Sequence, residues 1–198
     1  VRMRLIRKAV WKAAGACKDI TAAHLQAVAD LLEKQTGRYV KLPYGLTATR
    51  VYNVIEIMGK RKETEKICLP IDTDRLPENL LAGEWKFSFK KFPYDGNTDK
   101  IPRKMYTKWF DYDKIKDSLA IRNRRKGDYF VLDAAGHHKK LEDYFVNEKI
   151  PASHRDEQLL LAGEDEIFWI VGGRMAYGTG ISDATRWVLE ITASNSSH

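Results

Sequence analysis

The chain has 198 residues, of which 43% are hydrophobic and 31% charged, and its formal net charge is +7. A chain of this length and composition can bury one large core or two small ones. No apolar run reaches the roughly 20 residues of a membrane-spanning helix, and no secretory signal pattern is visible. The excess of lysine and arginine favours a polyanionic partner, with nucleic acid ahead of a membrane surface.

The cysteines and the first residues of the chain indicate the compartment of the protein and whether the chain is a fragment. Cys17 and Cys68 are far apart and form no CxxC pair. This usage predicts free, buried thiols in a cytoplasmic protein. Because the chain opens at Val1 directly in an amphipathic pattern, we expect a piece of a longer protein.

Residues 1–60 are predicted to form a helical hairpin followed by short strands. Apolar side chains recur at helical spacing over Arg2–Ala14. A second helix, capped by Asp19 or Thr21, is expected to run to about residue 35. Residues 38–42 and the alternating segment 46–58 are each predicted to be a strand.

Residues 61–198 are predicted to form a mixed sheet domain with one helix, over residues 139–149, so the fold class is α+β. A glycine-rich loop follows at 172–180, and the polar tail 194–198 is expected to be disordered. The predicted strands are residues 66–71, 84–92, 105–112, 119–121, 158–162, 167–171 and 186–191.

The densest positive charge lies between residues 121 and 155. Four cations fall within five residues: Arg122, Arg124, Arg125 and Lys126. A cluster of guanidinium groups is suited to bidentate recognition of phosphates. The alternative is a solvated surface neutralised by the acidic residues interspersed with it. Because residues alternate along a strand, one arginine is expected to be structural, and Arg125 is our choice.

Other motifs predict little chemistry. The adjacent residues His137 and His138 are expected to point to different sides of a strand or loop. Even with His154, no carboxylate or cysteine lies at the spacing of metal ligands, so no metal site is expected. The loop from Gly172 to Gly180 lacks the GxxxxGK[ST] phosphate-loop spacing. No order of serine, histidine and aspartate indicates a nucleophile, so no catalytic residue is predicted.

The order of residues in the basic stretch resembles a known family. Residues 119–128, LAIRNRRKGD, are similar to the "LRNRRPGD" opening of the C-terminal domain of bacterial tRNA(Ile)-lysidine synthetases. Residues 139–145, KKLEDYF, resemble that family's "KKLKDFF". Further matches follow in register, so the resemblance covers about 119–191. The segment from residue 60 to 114 has no recognisable counterpart in the family.

The resemblance implies a function. The family uses ATP to attach lysine to the wobble cytidine of tRNA(Ile), and its SGGxDS phosphate loop is not found in this sequence. The chain is therefore expected to be a non-catalytic, tRNA-gripping C-terminal half, with ATP and Mg in the missing catalytic domain. The resemblance further implies a fold shared with a domain of phenylalanyl-tRNA synthetase. The sequence leaves a homodimer open.

The tRNA-binding residues are predicted from the basic stretch and the resemblance together. Lys126 stands where the family commonly has proline, Tyr129 where arginine is common, and the loop 175–182 lacks the usual basic and aromatic residues. The predicted tRNA-binding residues are Arg122, Arg124, Arg125, Lys139, Lys140, Lys149, Arg155 and Arg174.

Two other functions stay open at this point. The chain would be a small stand-alone enzyme if the loop 172–180 and the histidines formed a site. It would be a protein-interaction module if its basic face docked an acidic partner.

Overall fold

A computed structural model describes residues 2–15, 18–59, 66–115 and 119–195. The chain divides into two units, Val1–Thr64 and Glu65–His198, with hydrophobic cores of their own. Helices are mixed with several antiparallel sheets, which confirms the α+β class. In the described part of the chain, no helix is long and apolar enough to span a membrane.

The first unit combines two helices with a three-stranded sheet. The helix predicted over Arg2–Ala14 is confirmed. Thr21 caps the second helix: its hydroxyl accepts a bond from the His24 amide, and the His24 ring accepts one from the Thr21 amide. The elements are α1 (Arg2–Ala14), α2 (Ala22–Asp30), β1 (Tyr39–Lys41), β2 (Thr47–Val51) and β3 (Val54–Met58).

The single strand predicted over residues 46–58 is wrong, because the chain reverses in its middle. β2 and β3 are antiparallel, with Val51 opposite Val54 and Thr47 opposite Met58. Tyr52 takes a positive φ of 47° at the turn, a conformation that side chains other than glycine rarely adopt. The alternation of apolar and polar residues continues through both arms, so the pattern alone did not reveal the turn.

The second unit contains most of the sheet. Its short helices are α3 (Tyr112–Ile115), α4 (Leu141–Asn147) and α5 (Ala152–Arg155). Its strands are β4 (Cys68–Pro70), β5 (Asn79–Ala82), β6 (Trp85–Pro93), β7 (Thr107–Asp111), β8 (Ala120–Arg122), β9 (Tyr129–Val131), β10 (His138–Lys140), β11 (Leu160–Ala162), β12 (Ile167–Ile170) and β13 (Trp187–Asn195).

Two four-stranded sheets share a core in this unit. Their strand orders are β12-β11-β8-β4 and β5-β6-β13-β7. Phe87, Phe110 and Ile191 of the second sheet belong to the same buried cluster as Ile121 and Leu161 of the first. Side chains alternate along a strand, so each sheet turns one face to this core.

The other face of β11 is covered as well. Leu160 and Ala162, the neighbours of Leu161, pack with Phe130 of β9 and with Leu141 and Phe145 of α4. The central strand is thus buried on both sides, which explains its continuous run of apolar residues.

Five of the helices and strands named above were not predicted: β5, β9, β10, α3 and α5. The β9–β10 hairpin changes the interpretation of Lys139 and Lys140, which were assigned to a helix. Lys139 pairs with Phe130 and Lys140 with Tyr129, and α4 begins only at Leu141. Three-residue strands carry too little periodicity to be recognised from side chains.

The expectation of a disordered tail from residue 194 is wrong for its first two residues. Ser194 pairs with Lys86 and Asn195 with Trp85, at the end of β13. Main-chain hydrogen bonds to β6 hold these polar residues in the sheet. Such bonds do not depend on side-chain polarity, so the sequence did not reveal them. Residues 196–198 lie outside the described part of the chain.

Gly172 is expected to be intolerant of a side chain. It has φ +77°, and an added Cβ would lie 2.8 Å from Cε1 of Tyr106. Backbone strain and overpacking together should lower the free energy of unfolding of Gly172→Ala by about 2–3 kcal/mol. Gly178→Ala is the matched control, because Gly178 has φ +82° with open space around it. Urea denaturation of both variants should give the smaller loss for Gly178→Ala, and equal losses would contradict the steric contribution of Tyr106.

Candidate nucleic-acid surface

Arg122 is buried and does not belong to the surface. Its side chain is 1% exposed at the end of β8. Nη1 donates to Oδ2 of Asp128 at 2.9 Å, and Nη2 donates to Oδ1 at 2.8 Å and to the Glu164 carbonyl at 2.9 Å. The prediction of Arg122 as an RNA ligand is therefore corrected: its guanidinium is used inside the protein. The structural arginine is Arg122, where Arg125 was expected.

The Arg122–Asp128 pair sets the shape of the loop between its two partners. Asp128 also accepts a bond from the Arg125 amide at 2.7 Å. Asn123 joins the loop to the preceding segment, because its Oδ1 accepts from the Ile67 amide at 2.7 Å and its amide donates to the Ile67 carbonyl at 3.0 Å. The loop 123–127 is thus fixed at its base by buried or half-buried bonds.

Arg124 is half-buried and already paired. Nε and Nη2 lie 2.8 and 2.7 Å from Oδ1 of Asp156, and Nη1 lies 3.6 Å from Oε1 of Glu142. The side chain therefore ties the loop to α4 and to the turn after α5. Because these carboxylates partly neutralise its charge, Arg124 attracts a phosphate less strongly than an unpaired arginine would.

Arg125 and Lys126 are exposed on the loop. Nη2 of Arg125 lies 3.0 Å from Sγ of Cys68. The thiol of Cys68 is free and exposed, so the prediction of a buried thiol is wrong for this cysteine. Cys17 lies outside the described residues. A cleft of about 560 Å³ opens here. Its lining residues are Lys66, Ile67, Cys68, Asn123, Arg124, Arg125, Lys126, Glu142 and Asp156. Lys66 and Lys126 were missing from the predicted set, although Lys126 belongs to the cationic run that the sequence displays.

Lys139 and Lys140 lie on strand β10, and the helix predicted to begin at Lys139 begins at Leu141, with Lys140 as its N-cap residue. The amide of Leu141, the first residue of α4, donates to the Asp128 carbonyl at 2.9 Å. Glu142 and Asp143 occupy the first turn of α4. These carboxylates oppose anion binding at the start of the helix, whereas the exposed ammonium group of Lys140 stays available at the surface.

The remaining predicted residues lie apart from the cleft. Lys149 is exposed and has φ +55° just after α4. Arg155 donates through Nε to the Ile150 carbonyl at 2.9 Å, which closes the segment between α4 and α5. Arg174 stacks over the Phe130 ring at 5.2 Å. Beside it, burial raises the pKa of Tyr144.

The histidines and the glycine-rich loop have structural contacts. His137 lies 2.8 Å from Oδ2 of Asp133 and, by hydrogen bonding, lowers the pKa of that carboxyl. No group of three potential ligands in residues 2–15, 18–59, 66–115 and 119–195 could hold a metal ion. In the loop, the amides of Gly173, Ala176 and Tyr177 donate to backbone carbonyls, so they do not form a phosphate cradle.

Part of the second unit matches a known family. Residues 119–191 match the family model described as the TilS substrate C-terminal domain. These residues belong to that family. A solved structure, described as "Crystal structure of TILS C-terminal domain", superposes on 67% of this chain and 98% of its own length with a TM-score of 0.50 and 19% identity. At that identity the likeness shows a shared fold, and the family predicted from the basic stretch is confirmed.

Curated relatives extend the similarity over the first unit. The chain is 32% identical over 192 residues to the tRNA(Ile)-lysidine synthase of Caldanaerobacter subterraneus subsp. tengcongensis, which covers 96% of this chain and 40% of that protein. It is 27% identical over 199 residues to the enzyme of that name from Clostridium tetani, again over 96% of the chain and 41% of the relative. The chain thus spans about two-fifths of the length of these relatives.

Proposed function

We propose that this chain is the tRNA-binding portion of a tRNA(Ile)-lysidine synthetase, and that it grips the body and acceptor stem of tRNA(Ile). The observation that carries the proposal is the loop 123–127. The buried pair of Arg122 and Asp128 holds this loop so that Arg125 and Lys126 project at the edge of the cleft. Lys66 adds a third exposed cation.

Double-stranded RNA is suited to such a surface. The major groove of A-form RNA is deep and narrow, so a protein contacts its phosphates and 2′-hydroxyls more readily than its base edges. Cations on an anchored loop provide these contacts with little loss of backbone entropy, because hydrogen bonds already order the loop. Lys140, Lys149 and Arg155 extend the proposed surface beyond the cleft.

The whole reaction belongs to the proposal as well. The curated relatives are tRNA(Ile)-lysidine synthases, and we assign this chain to the same cytoplasmic reaction, in which lysine is joined to the wobble cytidine. The ATP and Mg of that reaction are assigned to the region of the relatives that this chain does not match, so the chain alone should not make lysidine. A relation of the second unit to a domain of phenylalanyl-tRNA synthetase forms part of the same proposal.

The affinity of the chain for a tRNA(Ile) transcript is expected to fall steeply with salt. Four to six phosphate contacts release condensed counterions, so log K should decrease with log salt at a slope of roughly −3 to −5. Fluorescence anisotropy between about 50 and 200 mM salt measures the slope. A DNA duplex of equal length is the control, because it carries the phosphates but lacks the 2′-hydroxyls and the A-form shape. Absence of tRNA binding at low salt, with retained binding to an acidic polypeptide, would favour the protein-interaction module instead.

A further inference from the structure

A second cavity of the second unit has aromatic walls. Its volume is about 220 Å³. Trp85, at the start of β6, and Tyr106, just before β7, form one side, with ring centroids 5.2 Å apart and ring planes inclined by 47°. Both side chains are half-buried, and both also pack against the hydrophobic core. Val171, the residue after β12, also lines the cavity.

The position of the Tyr106 ring is tightly constrained. The Tyr106 carbonyl accepts a bond from the Ala193 amide at 2.8 Å, which fixes its backbone to β13. The ring lies so close to Gly172 that an added Cβ would be 2.8 Å from Cε1. A ring held in this way forms a preorganised wall, and little entropy is lost when a flat ligand packs on it.

Polar groups complete the rim of the cavity. They come from one short segment, the end of α5 and the residues after it: His154, Glu157 and Gln158. Nε2 of Gln158 donates to the carbonyls of Leu159 and Val171 at 3.0 and 2.9 Å, so its remaining hydrogen-bonding capacity is the acceptor Oε1. The carboxylate of Glu157 is likewise an acceptor. The rim therefore favours a ligand that presents N–H donors along one edge.

The same segment connects the cavity to the cationic cleft. Asp156, between the rim residues His154 and Glu157, bonds to Arg124 at 2.7 Å. Asp156 lines the cleft together with Arg124, Arg125 and Lys126, and its neighbour Glu157 lines the aromatic cavity. A polyanionic strand in the cleft would pass within a few residues of the cavity.

We propose that this cavity receives one unpaired base of the bound RNA, packed against the rings of Trp85 and Tyr106. The inference rests on the proposed RNA-binding function and names a contact that the phosphate surface does not provide. Base stacking on aromatic side chains is the general way in which proteins bind unpaired nucleotides. Because Glu157 and Gln158 accept hydrogen bonds, bases with an exocyclic amino group bind better than uracil, which lacks one.

The test uses the whole 198-residue chain and single nucleotides. The indole N–H signal of Trp85 in a nitrogen-15 spectrum is assigned with Trp85→Phe, and the chain is titrated with AMP, GMP, UMP and ribose 5-phosphate. We expect a saturable shift of the Trp85 signal with AMP and GMP, at least about tenfold weaker binding of ribose 5-phosphate, and intermediate binding of UMP. Glu157→Gln should weaken GMP binding by about three- to tenfold, because one charged acceptor is lost.

The exposed tryptophan Trp187 provides the control. It does not line the cavity, so its signal should stay in place. Equal shifts of both signals, or an equal response to ribose 5-phosphate, would overturn the proposal. In tRNA binding, Trp85→Leu should weaken affinity about tenfold at an unchanged salt slope, and Trp187→Leu should have no effect. If tRNA binds with a steep salt slope but nucleotides do not reach Trp85, the base pocket fails and the RNA-binding function stands. Loss of tRNA binding altogether would overturn both.

Discussion

Replacing Arg122 by alanine is expected to lower the free energy of unfolding by about 3–5 kcal/mol. The side chains of Arg122 and Asp128 are 1% and 0% exposed. Without the guanidinium, the buried carboxylate of Asp128 loses its ion pair. It keeps the hydrogen bond from the Arg125 amide. An uncompensated buried charge costs far more than the loss of a surface ion pair.

Urea denaturation of the wild type and three variants measures this effect. Arg125→Ala is the matched control, because its guanidinium is exposed and its loss should change stability by less than about 0.5 kcal/mol. The double variant Arg122→Met with Asp128→Leu should recover part of the loss, since an apolar pair leaves no charge unpaired, while the Arg125 amide and the Glu164 carbonyl lose their partners. A loss below about 1 kcal/mol for Arg122→Ala would contradict the assignment of the pair as the anchor of the loop 123–127.

The contrast between Arg122 and Arg125 shows what a linear pattern cannot report. The expectation that the arginines of this cluster could not all face one way rested on alternation along a strand. The choice of Arg125 failed because β8 ends at Arg122, and alternation no longer applies beyond it. The partner that buries Arg122 is Asp128, six positions further on, and the turn between them brings the two together.

Elements with strong periodicity were predictable from the sequence. Helix α1 and the long strands β6 and β13 were found because apolar residues recur over many positions. The β9–β10 hairpin was missed because three residues on each side hold no recognisable period, so Lys139 and Lys140 were placed on a helix. The cationic run itself was evident, but its cleft was not, because Lys66 is brought to it by the pairing of β4 with β8.

A triple variant at the cleft should have the largest effect on RNA binding. Lys66, Arg125 and Lys126 are the exposed cations that line the cleft, and glutamine at all three keeps polar side chains of similar length. If each cation neutralises one phosphate, the salt slope should become less steep by roughly 2–3. Near 0.1 M salt, the same counterion argument gives a loss of affinity of roughly two orders of magnitude.

The control for this variant must remove the same charge elsewhere in the second unit. Lys86, Lys90 and Lys104 are exposed and do not line the cleft. Their triple replacement by glutamine lowers the net charge equally, but it should make the slope less steep by less than about one, because long-range attraction is screened within about 10 Å at 0.1 M salt. Melting curves of both variants should match the wild type, since none of the six side chains is buried. Equal slopes for the two variants would mean that overall charge, rather than the loop held by Arg122 and Asp128, attracts the tRNA.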